Sequence, residues 1–148
     1  MLFLPCNTGT PKQWTISHNA PMTRILIVDD VANNRELLRI VFEQQGHLVS
    51  EACDGEEALR RIREQFTDLV LIDLTMPHIN GYGLLKMIRD DQRFAALLVV
   101  AVTANAMKGD HEKILAAGFN GYVAKPVSVA TIRKEVDRLL LGAISGSS

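Results

Sequence analysis

Two runs of the sequence, Leu69-Val-Leu-Ile72 and Leu97-Leu-Val-Val-Ala-Val102, are apolar at every position. A strand with two apolar faces must be covered by helices on both sides, as the central strands of a parallel sheet are. Three further short runs, rich in β-branched residues, complete a set of five. The predicted strands are Ile25–Asp29, Leu48–Cys53, Leu69–Asp73, Leu98–Thr103 and Gly121–Ala124.

Between the strands, apolar residues recur three and four positions apart, which is the spacing of one helix face. A capping residue followed three positions later by an acid marks a helix start, and glycine marks a helix end. The start signals are Asn33 with Glu36, Asp54 with Glu57, and Ser128, and the end signals are Gly46 and Gly118. Five strands that are each followed by a helix predict an α/β fold, (βα)5, with a doubly wound parallel sheet.

The 148 residues divide into one domain and two short ends. Residues 1–21 are rich in Pro, Thr, Asn and Gly and show no sustained period, which predicts a flexible extension or a mis-assigned start with Met22 as the true initiator. Residues 22–141 form the predicted domain, and residues 142–148 are a small polar tail.

The composition excludes several classes of protein. Sixteen basic and seventeen acidic side chains give a net charge of −1, so no overall basic field exists to hold nucleic acid. The apolar run Ala95–Val102 has eight residues, far fewer than the roughly 20 of a membrane-spanning helix. Two distant cysteines, Cys6 and Cys53, predict a reduced, cytoplasmic protein in which Cys53 is a small core residue.

Polar residues interrupt the apolar runs where the predicted strands end. Asp29 and Asp30 close the first strand, Asp73 the third and Thr103 the fourth, and Lys125 follows the fifth. Because the carboxyl ends of parallel strands share one edge of the sheet, these side chains are predicted to meet in one shallow pocket.

The predicted cluster of carboxylates needs a compensating cation. Two carboxylates about 5 Å apart repel by about 3 kcal/mol at an effective dielectric of about 20. Mg²⁺ is the natural partner because it takes carboxylate, water and phosphate oxygens. With an ammonium and a hydroxyl beside the metal, the pocket suits a transferring phosphoryl group, and an Asp carboxylate is itself a nucleophile that forms acyl phosphates.

Four segments together resemble the receiver domain of two-component response regulators. They are Ile25-Leu-Ile-Val-Asp-Asp30, Leu71-Ile-Asp-Leu-Thr-Met-Pro77, Ala101-Val-Thr-Ala104 and Tyr122-Val-Ala-Lys-Pro126. The resemblance runs from about Thr23 to Leu141 and implies a flavodoxin-like sheet with strand order 2-1-3-4-5. The stretch from Val100 to Asp110 resembles the stand-alone receivers that control bacterial cell division and polarity.

The resemblance implies a role for each matching position. Asp73 would accept phosphate from a phosphohistidine. Asp30 would bind Mg²⁺ directly and Asp29 mainly through water, while Asp73 and the backbone carbonyl of Thr75 would complete the protein ligands.

The remaining matches concern the phosphoryl group and the signal. Thr103 and Lys125 would contact the phosphoryl oxygens. Inward rotation of Tyr122 would accompany movement of Thr103 and change the face built from the fourth helix, fifth strand and fifth helix. The Lys125–Pro126 peptide bond resembles one that is cis in this family.

These features predict a single-domain response regulator in the cytoplasm that assists its own phosphorylation and dephosphorylation and has no separate catalytic domain. Its partners would be a sensor histidine kinase, a histidine phosphotransfer protein, or both, together with a downstream protein target. Neither nucleic acid nor membrane is an expected partner. Output would be a phosphorylation-dependent protein contact.

Three alternatives are weaker. A haloacid-dehalogenase-type phosphatase needs a second Asp two residues after its nucleophile, where this chain has Thr75. A nucleotide-binding flavodoxin-like or Rossmann protein needs a glycine-rich loop, but the first strand is followed by Asp-Asp-Val-Ala-Asn-Asn34. A non-phosphorylatable scaffold requires loss of a site residue, and none is missing.

Overall fold

The computed structural model describes residues 23–75, 81–104 and 108–146. The predicted extension, residues 1–21, lies outside them. The strands are β1 (Arg24–Val28), β2 (Leu48–Ala52), β3 (Leu69–Asp73), β4 (Leu98–Thr103) and β5 (Gly121–Ala124). The helices are α1 (Ala32–Gln44), α2 (Gly55–Glu64), α3 (Gly81–Asp90), α4 (Lys108–Ala117) and α5 (Val129–Gly146), with a short 3-10 turn at Gln92–Phe94.

The five strands form one parallel sheet in the order β2-β1-β3-β4-β5. The predicted α/β architecture and strand order are therefore confirmed. The register aligns Val28 of β1 with Ile72 of β3, and Asp73 of β3 with Val102 of β4. Residues that follow β1 and those that end β3 and β4 are thus brought to one edge of the sheet.

Helices cover both faces of the sheet, as the apolar strands require. On one face, Phe42 of α1 and Ile132 of α5 pack against Ile27 and Leu71. On the other face, side chains of α2, α3 and α4 pack against Val70 and the strand residues beside it. No helix in the described parts of the chain is both long and apolar enough to cross a membrane.

Of the two helix starts predicted in the first half of the chain, the structure confirms the one at Asp54 and contradicts the one at Asn33. The Asp54 carboxylate accepts from the Glu57 amide at 2.8 Å, and the Glu57 carboxylate accepts from the Cys53 amide at 2.8 Å, which confirms the capping box of α2. The prediction that Asn33 caps α1 is wrong. Helix α1 already begins at Ala32, because the carboxylate of Asp29, two residues before Val31, accepts from the Val31 amide and turns the chain into the helix.

Two predicted glycine turns are confirmed. Gly46 and Gly118 have φ angles of 94° and 117°, in the left-handed region that side chains with a Cβ disfavour. Helix α5 continues to Gly146 and so includes the first five residues of the segment predicted to be a polar tail.

Cys53 is not the core residue that composition predicted. Strand β2 ends at Ala52, which is buried, so Cys53 falls in the turn before α2 and is exposed. Its thiol lies 3.8 Å from the Asp54 carboxylate.

The stability of the domain is expected to depend on the charge of His47, which is half-buried with its ring centroid 5.9 Å from that of Phe42. Burial lowers the pKa of His47 below 6.5, although Asp137 and Asp68 oppose this. The unfolded chain therefore binds a proton at His47 more readily than the folded domain does. The contribution of neutral His47 to the free energy of unfolding is complete above pH 6.5 and is lost as the pH falls through the lowered pKa of the folded state. We expect His47→Gln to lose less free energy of unfolding on acidification than the parent chain in urea titrations. Parallel pH profiles would contradict this.

Candidate functional site

Three carboxylates meet at the carboxyl edge of the sheet. Asp29 and Asp30 directly follow β1, and Asp73 is the last residue of β3, the neighbouring strand. One oxygen from each side chain lies within 4.8 Å of the others. Asp29 and Asp73 are buried, with 4% and 2% of their surface exposed, whereas Asp30 is exposed. The convergence predicted from the strand ends is therefore present.

Asp73 is held by hydrogen bonds on both of its carboxylate oxygens. Oδ1 accepts from the Thr75 amide at 2.9 Å and from the Thr75 hydroxyl at 2.7 Å. Oδ2 accepts from Lys125 Nζ at 3.0 Å. Burial would raise the pKa of Asp73, but the Thr75 hydrogen bonds and the Lys125 ammonium outweigh burial and lower it. Asp73 is consequently held ionised, as a nucleophile must be.

Asp29 has the opposite electrostatic character. Burial and the charge of Asp73 raise its pKa, against the hydrogen bond from the Val31 amide and the charge of Lys125. The two pKa values therefore move in opposite directions, because the Thr75 donors and the Lys125 ammonium bind the Asp73 carboxylate directly, while Asp29 is buried beside that ionised carboxylate.

The donor set fits a hard divalent cation. Three carboxylates and one ammonium group leave two net negative charges in the cluster. Carboxylate oxygens of this kind are preferred by Mg²⁺, and a dication would relieve the repulsion that raises the pKa of Asp29. Asp29, Asp30 and Asp73 are the side chains that could hold such an ion.

Thr103 and Lys125 lie on the same edge of the sheet, at the ends of β4 and β5. Thr103 is buried, and its carbonyl accepts from the Lys125 amide at 2.8 Å. This bond continues the parallel pairing that aligns Thr103 with Ala124. The Lys125–Pro126 peptide bond is cis. The pairing places both residues beside Asp73, whose neighbour in β4 is Val102.

Tyr122 makes a contact that the sequence interpretation did not contain. Its hydroxyl lies 2.9 Å from Nδ1 of His111 in α4, and the two rings stack with centroids 4.3 Å apart. Tyr122 is half-buried and packs against the core of the α2, α3 and α4 face. Nothing in the spacing of His111 indicates this pairing, because it depends on how α4 lies on β5.

Arg35 is a second residue that sequence reasoning missed. Its Nη1 donates to the Asp29 carbonyl at 2.7 Å, and its Nε donates to the Glu51 carboxylate at 3.0 Å. Glu51 also accepts from Arg39 at 3.0 Å. Arg35 therefore ties the backbone of the acidic loop to α1 and β2. The available signal was an arginine at the fourth position of α1, six residues after Asp29.

Arg89 is the third such residue, at the end of α3. Its guanidinium donates to the carbonyls of Leu97 and Gly118 at 2.6 and 3.0 Å and to Asn120 Oδ1 at 2.8 Å. Asn120 Oδ1 also accepts from the Val99 amide at 2.8 Å. These acceptors lie where the chain enters β4 and β5. Arg89 thus braces the two strands that end in Thr103 and beside Lys125.

Comparison with known protein families matches residues 25–137 to the response regulator receiver domain. Among curated proteins, the polar-differentiation response regulator DivK of Brucella ovis is 39% identical over 105 residues, which are 71% of this chain and 85% of the relative. This similarity agrees with the resemblance to polarity receivers that the stretch from Val100 to Asp110 indicated.

Two solved structures share the fold. The chemotaxis response regulator CheY4 of Vibrio cholerae superimposes with a TM-score of 0.76 at 25% identity, covering 80% of this chain and 98% of that one. The receiver domain of sensor histidine kinase PA1611 from Pseudomonas aeruginosa has a TM-score of 0.73 at 32% identity, covering 81% and 98%. The latter structure has a magnesium ion coordinated in its active-site cleft.

Proposed function

Because this chain belongs to the family of response regulator receiver domains, we propose that it accepts a phosphoryl group from a phosphohistidine onto the Asp73 carboxylate. One observation carries the proposal. Asp73 is buried and ionised at the sheet edge, with Lys125 Nζ 3.0 Å from one of its oxygens and carboxylates of Asp29 and Asp30 beside it. The arrangement combines a nucleophile with groups that stabilise phosphoryl charge.

The proposal includes a Mg²⁺ ion held by Asp29, Asp30, Asp73 and the backbone carbonyl of Thr75. When bound, Mg²⁺ neutralises charge on the phosphoryl oxygens and on the carboxylates. The net charge of the cluster and its oxygen donors support this assignment. The magnesium in the cleft of the Pseudomonas receiver domain gives it independent support.

The transfer follows from the chemistry of the side chains. A carboxylate oxygen of Asp73 attacks the phosphorus, the phosphorus–nitrogen bond of the donor breaks, and its electron pair returns to the imidazole nitrogen. Lys125 then leaves the carboxylate for the phosphoryl oxygens, and the Thr103 hydroxyl donates to another of these oxygens. Loss of the phosphoryl group is a separate reaction, in which water attacks the phosphorus, the phosphorus–oxygen bond to Asp73 breaks, and inorganic phosphate and the free carboxylate are released. The same side chains of the domain assist this hydrolysis.

The signal is proposed to pass through Thr103 and Tyr122. Movement of Thr103 toward the phosphoryl group opens space for Tyr122 to turn inward, which breaks its contact with His111 and changes the surface of α4, β5 and α5. A downstream protein reads this surface. The phosphoryl donor is a sensor histidine kinase or a histidine phosphotransfer protein, in the cytoplasm.

Metal removal tests the proposal directly. We expect acetyl phosphate to produce a retarded band on a phosphate-affinity gel when Mg²⁺ is present and no retarded band after EDTA treatment, because the carboxylates otherwise repel the incoming anion. Excess Mg²⁺ added back should restore the band. Equal modification with and without the metal would contradict the assignment of a metal-assisted acceptor site.

A further inference from the structure

A groove lies at the opposite end of the strands from Asp73. It has a volume of about 860 Å³ and is bounded by the connection from α2 to β3, the 3-10 turn and the part of α5 from Asp137 to Leu141. Ile62 and Leu97 form buried parts of its wall. Phe66 and Leu141 stand at its rim with 71% and 63% of their surface exposed.

Apolar side chains gathered around one groove indicate an apolar occupant. Phe66 and Leu141 are the two most exposed large hydrophobic residues of the described chain, and both line this groove, together with Phe94 and Leu140. A contiguous patch of this kind marks an interaction site more often than scattered apolar residues do. Burying an aromatic ring removes about 150–250 Å² from water, which gives such a site its affinity.

The occupant is inferred from the residue at which the described chain begins. Thr23, the first described residue, itself lines the groove, so the described chain begins beside it. That segment carries Leu2, Phe3, Leu4 and Trp14. We propose that residues 1–22 dock in this groove, with Trp14 as the anchor that packs between Phe66 and Leu141.

Length and charge are compatible with this docking. Trp14 is nine residues before Thr23, a distance that the chain spans over as much as about 30 Å. Residues 1–22 contain Lys12 but no acidic residue, while the groove is lined by three acidic side chains and two arginines. The acidic side chains are Glu64, Asp68 and Asp137.

Attachment to the domain makes a modest intrinsic affinity sufficient. A short flexible linker gives its ligand an effective concentration in the range of about 1 mM. An anchor with a dissociation constant of about 1 mM is then docked in about half of the molecules, and a tighter anchor in most of them. The docking does not rest on phosphorylation of Asp73, so the two proposals fail independently.

The fluorescence of the full chain tests the docking, because Trp14 is the only tryptophan in the sequence. We expect the Trp14 emission of the parent chain to be shifted to shorter wavelength and protected from iodide. The double variant Phe66→Ser/Leu141→Ser should shift the emission to that of a solvated indole and raise the quenching constant several-fold. The control is Leu115→Ser, which removes a leucine of similar exposure (49%) from α4 and should leave Trp14 unchanged.

The outcomes separate the possible occupants. Circular dichroism verifies that each variant is folded, and the single variants Phe66→Ser and Leu141→Ser replace the double variant if it is not. The proposal would be overturned if Trp14 of the parent chain had the emission of a solvated indole. It would also be overturned if neither groove substitution changed the Trp14 emission. A blue shift that appears only with rising protein concentration, together with dimers in sedimentation, would also overturn it, because a second copy would then be the occupant.

Discussion

Asp73→Asn is expected to abolish phosphoryl acceptance. The substituted amide nearly preserves the shape of the side chain but lacks the negative oxygen that attacks phosphorus. It also removes one charge from the carboxylate cluster, so anion repulsion falls and any loss of labelling must come from the missing nucleophile. Incubation with acetyl phosphate and Mg²⁺, followed by a phosphate-affinity gel, should show a single unshifted band.

Asp90→Asn is the matched control for this substitution. The control substitution makes the same chemical change at an exposed position of α3, where the Asp90 carboxylate lies 3.2 Å from Lys86 Nζ. We expect this variant to be labelled like the parent chain. Mass spectrometry of the labelled parent should locate the added phosphate on the peptide that contains Asp73. Undiminished labelling of Asp73→Asn would refute Asp73 as the acceptor, whatever the behaviour of the control.

The sheet was predictable because its signals are local and strong. Leu69–Asp73 is fully buried, as an uninterrupted apolar run at the centre of a parallel sheet should be. Asp54 with Glu57 and the two left-handed glycines are likewise decided by neighbours in the sequence. The strand order came from the resemblance, since several permutations bury the same apolar runs.

The departures arise at the ends of elements, where the spacing of residue types does not decide the terminal residue. Asn33 has the spacing of a capping residue, but the Asp29 carboxylate reaches the Val31 amide first and moves the helix start. Cys53 has the composition of a core residue, yet β2 ends one residue before it. The cap position of α1 differs from the prediction by two residues and the end of β2 by one, and the sequence pattern does not resolve such differences.

The candidate site shows the same division. The meeting of Asp29, Asp30 and Asp73 follows from strand ends and neighbouring strands, so the sequence predicts it. The contact between Tyr122 and His111 depends on side chains of two elements that only the packed structure orients. The roles of Arg35 and Arg89 are equally unpredictable from the sequence. An arginine is usually exposed, and these two have a structural role because backbone carbonyls outside their own helices accept from them.

Arg89→Ala is expected to lower the free energy of unfolding by about 3 kcal/mol. Hydrogen bonds of a charged group contribute roughly 1.5–3 kcal/mol each, and solvent can replace part of those that Arg89 makes near the surface. The two shortest, to the Leu97 carbonyl and to Asn120 Oδ1, are 2.6 and 2.8 Å long. Urea denaturation followed by circular dichroism measures the loss.

Two further variants determine whether the geometry of Arg89 or its charge is responsible. Arg89→Lys keeps the charge but cannot reach the Leu97 and Gly118 carbonyls together, so we expect it to recover less than half of the lost stability. Arg138→Ala makes the same truncation at an exposed ion pair with Glu135 and should cost about 0.5 kcal/mol or less. If Arg89→Ala cost no more than Arg138→Ala, water would be replacing the guanidinium at those carbonyls. The entrance to β4 and β5, and with it the placement of Thr103 and Lys125, would then depend on the strand pairing alone.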